Sequence, residues 1–549
     1  MKRFCCFLAI LFLLVPRCLS EDFDLPIQYP LNEKGEAAVN DVDFSGYSAV
    51  SDNNRVFYEI FVGSFSDSDG DGVGDLKGII SRMDYLNDGD PFSGVSLGVE
   101  GIWLTPIFAS PTYHKYDVTD FYRVDPAFGT EEDLKELISL CHSRDVKIIL
   151  DLPINHTATD NRWFRNFVNA HLMHNPHNSY YNFFNWLGEG EQAAAGKHYA
   201  KAMGTGMDLR YEANFSDSMP EPDFDQPLVR ETFLNVALHY LELGVDGFRF
   251  DAAKYIYYGD NQKSAEFWDW YVGELKKAKP DLYAVAEVWD GDGVIDRYVP
   301  IMNCFNFTAS QVSGIIAETA QAGNVNRFTA YIQRTAERLQ ALRQDAMNVL
   351  FISNHDMDRA VGYLPMTSGR MAVAANLYLL SPGSPFIYYG EEIGLRGSRG
   401  AANTDANRRL AMLWGDGDTV SDPEGATLAK NKQTPYSVSD LKRMSTSLLN
   451  HYKKLLMIRK ANPEIARGDY HALTLEGTKM GGFVSTWNGS SVLVLHNTTM
   501  KPLTLDLSEA ALAQYTRIVG APGIGRAILE GTVLTLEAQT SAVLREEGR

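Results

Sequence analysis

A charged pair near the middle of the chain has the residue types and the spacing that covalent catalysis requires. The segment GVDGFRFDA places Arg249 and Asp251 two positions apart, within residues typical of a short buried strand. Because side chains alternate faces along a strand, these two side chains point the same way. A guanidinium beside a carboxylate favours the ionised carboxylate, which is the nucleophile of covalent glycoside hydrolysis. A structural ion pair is the alternative interpretation of this pair alone.

This segment is one of eight predicted strands in a regular alternation of strands and helices. Helical patterns separate them, such as EEDLKELISLCHSR, in which Leu134, Ile138 and Cys141 share one face. The alternation predicts an α/β protein built on a closed (β/α)8 TIM barrel. An open doubly wound sheet would alternate in the same way, but no glycine fingerprint follows the first strand. The predicted strands begin at Val56, Gly98, Val146, Gly244, Leu282, Met302, Asn348 and Ser384.

Two regions interrupt or follow the barrel pattern. Residues 154–226 are irregular and rich in Asn, His, Tyr and Gly, which predicts a domain inserted after strand 3. Over 466–549, short alternating strands such as GGFVSTW and SSVLVLHN predict a C-terminal all-β domain, a small sandwich. The barrel then comprises 55–153 and 227–465, and residues 21–54 form an N-terminal arm.

The first twenty residues have the pattern of an export signal. Two basic residues precede an apolar run over 4–15, and small or polar residues follow it. The run is too short to span a bilayer comfortably, so residues 1–20 are predicted to be a signal peptide. This predicts a mature chain without a transmembrane helix, exported to the periplasm or the extracellular space. Lipid attachment at Cys18 is the alternative, although the preceding Pro-Arg is a poor context for it.

The charge of the chain restricts its partners. The 549 residues carry a formal net charge of −20 at pH 7, and basic residues are not clustered. Nucleic acid is therefore excluded as a partner, whereas a neutral substrate is compatible with so acidic a protein. The chain is expected to act as a monomer.

Polar motifs recur at the predicted carboxyl ends of the barrel strands, where such barrels hold their active sites. The third strand runs into DLPINH, the fourth into GFRFDAAK, the fifth into AEVWD and the seventh into NHD. In order, spacing and strand context, these motifs resemble those of the α-amylase family of glycoside hydrolases, family 13. The resemblance covers about residues 55–465 and includes GIWLTPI, YHKYDVTDFYRVDPAFGT, IYYGEE and RRLAMLW. It implies a barrel with an inserted B domain and a β-sandwich C domain.

The resemblance implies roles for three carboxyls. Asp251 resembles the nucleophile, Glu287 the general acid/base and Asp356 the third carboxylate, which grips sugar hydroxyls near the transition state. Retaining hydrolysis needs two carboxyls roughly 5–5.5 Å apart, one ionised and one protonated. Apolar neighbours and nearby carboxylates are expected to raise the pKa of Glu287. A non-catalytic partner of a transporter, or a plain sugar-binding protein, would not need this set.

The resemblance also implies a group of residues around the bound sugar. His156 and His355 would hydrogen-bond hydroxyls of one sugar. Tyr116 would stack under the ring of that sugar, and Asp117 would support Tyr116. Lys254 would line a site beyond the cleaved bond. For either histidine alone, an ordinary polar residue of the core is the commoner explanation. The predicted substrate-binding residues are Tyr116, Asp117, His156, Arg249, Lys254 and His355.

The loop after the first strand, DSDGDGVGDLKG, places oxygen ligands at alternate positions. Asp67, Asp69, Asp71, the carbonyl of Val73 and Asp75 have the spacing that surrounds a hard cation in the first part of an EF-hand loop. The twelfth position is glycine and a strand precedes the loop, which argues against a true EF-hand. The loop resembles the calcium loop of the oligo-1,6-glucosidase-like branch, which implies a structural Ca²⁺. A solvated acidic turn is the alternative.

Residues after the nucleophile bear on the linkage that is cleaved. Ala252 stands where α-1,6-acting relatives often carry Val, and Lys254 matches α-amylases, so both favour α-1,4 glucans. The calcium loop and EPDFD instead resemble the glucosidase or intermediate branch, with Asp225 where Asn is usual.

We therefore predict an α-amylase of the group between α-amylases and oligo-1,6-glucosidase or neopullulanase-like enzymes. It would hydrolyse internal α-1,4 bonds of starch and maltodextrins with retention. An exo-acting α-glucosidase or a neopullulanase-like enzyme is the alternative, and sugar transfer from a covalent intermediate stays open.

Overall fold

The computed structural model describes residues 27–45, 47–202 and 206–547. The predicted signal peptide over 1–20, together with Cys18, lies outside these residues. No helix in the described part of the chain has both the length and the apolar character needed to cross a membrane.

Parallel strands dominate the first part of the chain, and antiparallel strands dominate its C-terminal part. The barrel strands are nearly continuous apolar runs, because helices and loops cover one face of the sheet and the barrel core covers the other. In chain order the strands are β1 (Phe57–Ile60), β2 (Gly101–Leu104), β3 (Phe108–Ala109), β4 (Asp120–Val124), β5 (Lys147–Leu152), β6 (Trp186–Leu187), β7 (Tyr199–Lys201), β8 (Arg210–Glu212), β9 (Gly247–Phe250), β10 (Tyr283–Ala286), β11 (Asn303–Cys304), β12 (Phe386–Tyr388), β13 (Asp469–Ala472), β14 (Gly481–Trp487), β15 (Ser490–Asn497), β16 (Leu503–Asp506), β17 (Tyr515–Gly520), β18 (Ala527–Glu530), β19 (Val533–Leu536) and β20 (Thr540–Glu546).

Helices occupy the crossovers between the barrel strands. The predicted helix from EEDLKELISLCHSR is present, and a capping box between Thr130 and Asp133 begins it. Its apolar face, including Leu134 and Cys141, is buried as the periodicity predicts. In chain order the α-helices are α1 (Leu76–Ser81), α2 (Met83–Leu86), α3 (Glu131–Ser143), α4 (Arg162–Leu172), α5 (Pro227–Glu242), α6 (Asn261–Ala278), α7 (Asp292–Ile295), α8 (Ile315–Ala322), α9 (Val325–Leu342), α10 (Arg370–Leu379), α11 (Val438–Arg443), α12 (Leu448–Ala461) and α13 (Glu464–Arg467).

The barrel sheet has seven regular parallel strands in the order β11-β10-β9-β5-β2-β1-β12. The prediction of a regular strand from Asn348 is wrong in detail, because this segment joins no strand ladder. It still runs between β11 and β12. Asn306 N donates to Val349 O at 2.9 Å, and Phe386 N donates to Leu350 O at 2.8 Å. The neighbouring strands are only two and three residues long, and the hydrogen bonds on both sides of the segment close the (β/α)8 barrel.

Large apolar side chains fill the inside of the barrel. Phe57 and Phe386 stack with ring centroids 4.8 Å apart, and Trp103, Tyr283 and Phe305 belong to the same cluster. Because apolar side chains fill this interior, the polar side chains at the strand ends lie at the carboxyl-terminal rim of the barrel.

Two smaller β-structures complete the fold. Between β5 and α5, the three strands β6, β8 and β7 form an antiparallel sheet. At the C-terminal end, the sheet β13-β14-β15-β20-β17 packs on the sheet β16-β19-β18, and residues such as Leu495 and Leu534 share one core. The predicted all-β character of the C-terminal domain is thus confirmed. The predicted domain boundaries stay predictions.

Candidate active site

Neighbouring barrel strands place three carboxyls around one cavity. Asp251 follows β9 and Glu287 follows β10, strands that pair in parallel, while Asp356 follows the closing segment of the barrel. All three line a cavity of about 710 Å³. The register also pairs Asp151 of β5 with Arg249 of β9, which sets a further carboxylate beside the guanidinium.

Arg249 is the shared cation of this rim. Its Nη1 donates to Asp151 Oδ1 at 2.7 Å and to Asp251 Oδ1 at 2.5 Å, and its Nη2 lies 3.2 Å from Glu287 Oε2. The guanidinium is fully buried and lies over the ring of Trp103 at 5.3 Å. One buried cation therefore contacts both Asp251 and Glu287 and brings them close to each other.

Glu287 has the environment of a proton donor. Burial raises its pKa, Arg249 opposes the rise, and the nearby Asp251 and Asp356 add to it. Its Oε2 accepts a hydrogen bond from Ala252 N at 2.9 Å. Ala252 adopts the left-handed region, with φ 46° and ψ 38°, which is an uncommon conformation for a residue with a side chain. This turn aims the backbone N–H at Glu287.

Asp356 is held between two cations. Arg409 Nη2 donates to its Oδ1 at 2.7 Å, and His355 Nε2 lies 3.0 Å from its Oδ2. Burial alone would raise the pKa of Asp356, but the charges of His355 and Arg409 hold it well below its usual range. Asp356 is therefore an ionised carboxylate with a fixed orientation.

The structure places four of the predicted substrate-binding residues on the cavity wall, namely Tyr116, Asp117, His156 and Lys254. Burial lowers the pKa of His156, whose Nε2 lies 3.2 Å from Tyr116 O, so its ring is neutral. Asp117 accepts hydrogen bonds from Ser110 and Thr112.

The ammonium group of Lys254 already has hydrogen-bond acceptors within the protein. Its Nζ donates to Trp289 O at 2.8 Å and to Asp290 Oδ2 at 2.9 Å, so it fixes the loop that follows Glu287. Arg249 and His355, which were also predicted to bind substrate, are fully buried behind the cavity wall. Direct contact of these two residues with a sugar stays a prediction.

Sequence reasoning missed two charged residues of this site. Glu59 is the third residue of β1, and its Oε1 lies 2.6 Å from His355 Nδ1. The only signal for it was a single acid in an apolar strand. Arg409 lies in RRLAMLW, a motif that was noted without a role. Two exposed aromatic residues of the cavity wall, Phe215 and Trp289, were also missed. Phe215 lies in the irregular insertion, where no pattern marks it.

The acidic loop forms a group of three carboxylates. Single oxygens of Asp67, Asp69 and Asp71 all lie within 4.8 Å of one another, which fits the donor set of a hard cation. Asp75 is not part of this group, because its carboxylate caps α1 by accepting from Gly78 N and also accepts from Ser68. The Asp75 side chain and the Val73 carbonyl stay predictions as ligands.

A (β/α)8 barrel with paired carboxyls at its rim is the arrangement of a glycoside hydrolase. Residues 59–468 match the family model for the alpha amylase catalytic domain, so the chain belongs to the α-amylase family. This match confirms the family resemblance seen in the sequence motifs.

Proteins similar to this chain are named for different activities on glucans. The chain is 34% identical over 457 residues to Alpha-amylase 3 of Dictyoglomus thermophilum, an alignment that covers 82% of this chain and 86% of the relative. It is 30% identical over 450 residues to a 4-alpha-glucanotransferase of Thermotoga neapolitana, covering 80% of this chain and 95% of the relative. The solved structure of Eubacterium rectale Amy13B superposes with a TM-score of 0.83 at 30% identity, covering 92% of this chain and 98% of that one.

Proposed function

We propose that this chain is an α-amylase that hydrolyses internal α-1,4-glucosidic bonds of starch and maltodextrins with retention of configuration. The observation that carries the proposal is the shared contact of Asp251 and Glu287 with one buried Arg249 beside one cavity. This arrangement places the proposed nucleophile beside Glu287, whose raised pKa suits a proton donor, as the double-displacement mechanism needs.

The chemistry would proceed in two displacements. Asp251 attacks the anomeric carbon while Glu287 gives its proton to the departing glucosidic oxygen, so a glucosyl ester forms and the bond to the leaving chain breaks. Glu287, now ionised, then takes a proton from water, and that water displaces Asp251 from the anomeric carbon. Asp356 stays ionised between its two cations and orients sugar hydroxyls. The first displacement leaves Asp251 esterified and Glu287 ionised. The second frees Asp251 and protonates Glu287 again, so the cycle can repeat.

Endo action is supported by the length of the cleft. A second cavity of about 590 Å³ adjoins the first and shares Trp289, Asp356 and Asp405 with it. Phe215 and Trp289 offer exposed aromatic faces of the kind that stack on sugar rings. A cleft that continues beyond the carboxyls can hold several glucosyl units of a longer chain.

Sugar transfer is the second candidate, because a covalent ester can be attacked by a sugar hydroxyl instead of water. The 30% identity to a 4-alpha-glucanotransferase favours testing it. An exo-acting α-glucosidase or a neopullulanase-like activity is a further alternative on the same site.

We further propose a structural Ca²⁺ at the loop of Asp67, Asp69 and Asp71, whose oxygens are grouped as such an ion requires. Asp67 also accepts from Gly72 N at 2.8 Å and from Thr419 Oγ1 at 2.5 Å, so an ion here would tie the loop to the chain near 419. The proposed enzyme acts as an exported monomer in the periplasm or outside the cell.

Product analysis tests the mode of action. A linear maltooligosaccharide labelled at its reducing end is digested, and the labelled products are separated within the first few per cent of conversion. We expect labelled fragments of intermediate length. Unlabelled glucose and a labelled chain one unit shorter than the substrate, as the sole early products, would establish exo action from the non-reducing end. Labelled chains longer than the substrate would establish transfer. Complete absence of cleavage would favour a non-catalytic sugar-binding homologue.

A further inference from the structure

His355 is enclosed by hydrogen-bond acceptors. Its Nδ1 lies 2.6 Å from Glu59 Oε1, and its Nε2 lies 3.0 Å from Asp356 Oδ2 and 2.7 Å from Tyr116 Oη. Its side chain is fully buried, so water does not supply an alternative partner. The ring therefore has carboxylates at both nitrogens.

The hydrogen-bond inventory decides where the protons must be. The hydroxyl of Tyr116 donates to Asp151 Oδ2 at 2.9 Å, which leaves its oxygen as an acceptor toward His355. A neutral imidazole has one N–H and one bare nitrogen, and here the bare nitrogen would face an acceptor without a proton between them. Only the imidazolium offers a proton to both carboxylates: the Nδ1–H points to Glu59, and the Nε2–H is shared between Asp356 and Tyr116.

We propose that Glu59 is a positioning residue that keeps His355 an imidazolium, and that this cation holds Asp356 and Tyr116 in their working orientations. The inference rests on the proposed function, because it assigns Glu59 to the glucan-cleaving site. Glu59 is the third residue of β1 and does not line the cavity, so it acts through His355.

The two carboxylates at the His355 ring differ in their other partners. Asp356 is shared with Arg409, whereas Glu59 has no ion pair other than His355 among the described residues. Burial lowers the pKa of His355, but Asp356 and, to a smaller extent, Glu59 raise it to about 10. The groups that face this ring are Glu59, Asp356, Tyr116, Phe61 and Trp103, with Arg409 on its carbonyl oxygen.

Loss of the cation would affect two residues that touch the cavity. Asp356 would keep only Arg409 and could rotate or take up a proton more easily. The Tyr116 ring, which lies parallel to His355 with centroids 5.5 Å apart, would lose the donor that holds its hydroxyl. We therefore expect a loss in turnover rather than in ground-state binding alone.

The first test is the charge of His355 in the unaltered protein. Nitrogen NMR of the histidine-labelled chain, with the resonance assigned by its absence in His355→Gln, should show both ring nitrogens protonated between pH 5 and 8. A neutral ring at pH 7 would overturn the proposal. Because this measurement needs no substrate, it decides the inference even if the proposed glucan hydrolysis fails.

The second test is Glu59→Gln, which keeps an acceptor of the same size but removes the negative charge. We expect kcat on maltooligosaccharides to fall roughly 10- to 100-fold, and the alkaline limb of its pH profile to move to lower pH as His355 loses its proton. Glu59→Asp, which retains the charge, should restore much of the wild-type pH profile. A Glu59→Gln enzyme with wild-type kcat and pH profile would contradict the proposal.

A matched control separates this effect from the general cost of altering a buried acid. Glu391 is also fully buried and also follows a barrel strand, but it does not line the cavity. Glu391→Gln should leave the pH profile of kcat unchanged. An equal shift in both variants would contradict a specific role of Glu59.

Discussion

Two sets of carboxyls follow the strands of the same barrel, and the protein stabilises them in opposite ways. At the rim, Asp251 and Asp356 lie against cations, and each accepts at least one charged hydrogen bond. Beyond β12, Glu391 and Glu392 are buried more deeply than Asp356, whose side chain is 31% exposed, but they form no ion pair with a described residue. The two sets therefore differ in the kind of partner that each carboxyl has.

The second set relies on tyrosine hydroxyls. Glu391 Oε1 accepts from Tyr378 and Tyr452, both at 2.6 Å, and Glu392 is held by another two tyrosines. Burial raises the pKa of Glu391 to about 7, because neutral hydroxyls offset the desolvation of a carboxylate less fully than a cation does. The rim keeps Asp356 ionised by cations, whereas the tyrosine-bound pair moves toward the neutral form.

This difference distinguishes carboxyls of the proposed reaction from carboxyls that only support the fold. The carboxyls that the proposed reaction uses have charged partners, and Arg249 is that partner for Asp251. A buried acid that only joins helices to the barrel does not need its charge. The following substitutions test the contrast, beginning with the largest expected effect.

Asp251→Asn should lower kcat on starch by roughly 10⁴-fold or more, because the neutral amide cannot form the glucosyl ester. The fold should persist, since Asn can still accept a hydrogen bond from Arg249. Steady-state kinetics and circular dichroism check both points. Undiminished hydrolysis would show that Asp251 is not the nucleophile.

Glu287→Gln should lower kcat by roughly 10²- to 10⁴-fold on starch, because the leaving oxygen no longer receives a proton. A glucoside with an acidic phenol as leaving group should lose far less in its first step. In the wild type, activity should fall as pH rises through the raised pKa of Glu287. A variant that is equally impaired on both substrates would speak against a proton-donor role.

Glu391→Gln should change the pH dependence of stability rather than activity. The folded-state pKa of about 7 lies above the usual value of 4.5, so the acid contributes its stability below the unfolded-state pKa and loses it as pH rises through about 7. The cost to the wild type at pH 8 is at most roughly 3 kcal/mol. Denaturant unfolding of both proteins at pH 5 and pH 8 measures the free energy of unfolding. Its decrease from pH 5 to pH 8 should be smaller in Glu391→Gln than in the wild type.

Removal of Ca²⁺ should have the smallest effect on catalysis. Chelation is expected to lower the midpoint of thermal unfolding by a few degrees, while kcat at 25 °C changes little. Asp69→Asn should abolish the response to added Ca²⁺, and Asp90→Asn, an exposed acid in another turn, should not. An identical response in both variants would place the ion elsewhere or exclude it.

The sequence predicted the barrel well because its signals are local. Apolar runs, amphipathic helices and the polar residues after each strand follow one another along the chain, and the parallel topology brings those strand ends together. The segment from Asn348 has the residues of a strand, yet it makes only isolated backbone contacts with the segments on either side.

The parts of the site that were missed depend on contacts distant in sequence. Glu59 and His355 meet across 296 positions. The capping contact between Asp75 and Gly78 N was likewise not foreseen from the ligand spacing. The engagement of Lys254 with Asp290 likewise appears only when two loops are brought together. Residue type and spacing located the carboxyls, but their hydrogen-bond partners required the fold.

The central claim is that Asp251 becomes covalently bound to the sugar. A fluorinated α-glucosyl fluoride, whose leaving group departs easily and whose ring fluorine slows hydrolysis of the ester, should trap this intermediate. We expect mass spectrometry of the digested protein to find one sugar unit on the peptide that contains Asp251, and none after Asp251→Asn. A sugar on Glu287 or Asp356 instead, or no covalent adduct during continued turnover of the reagent, would contradict the proposed mechanism.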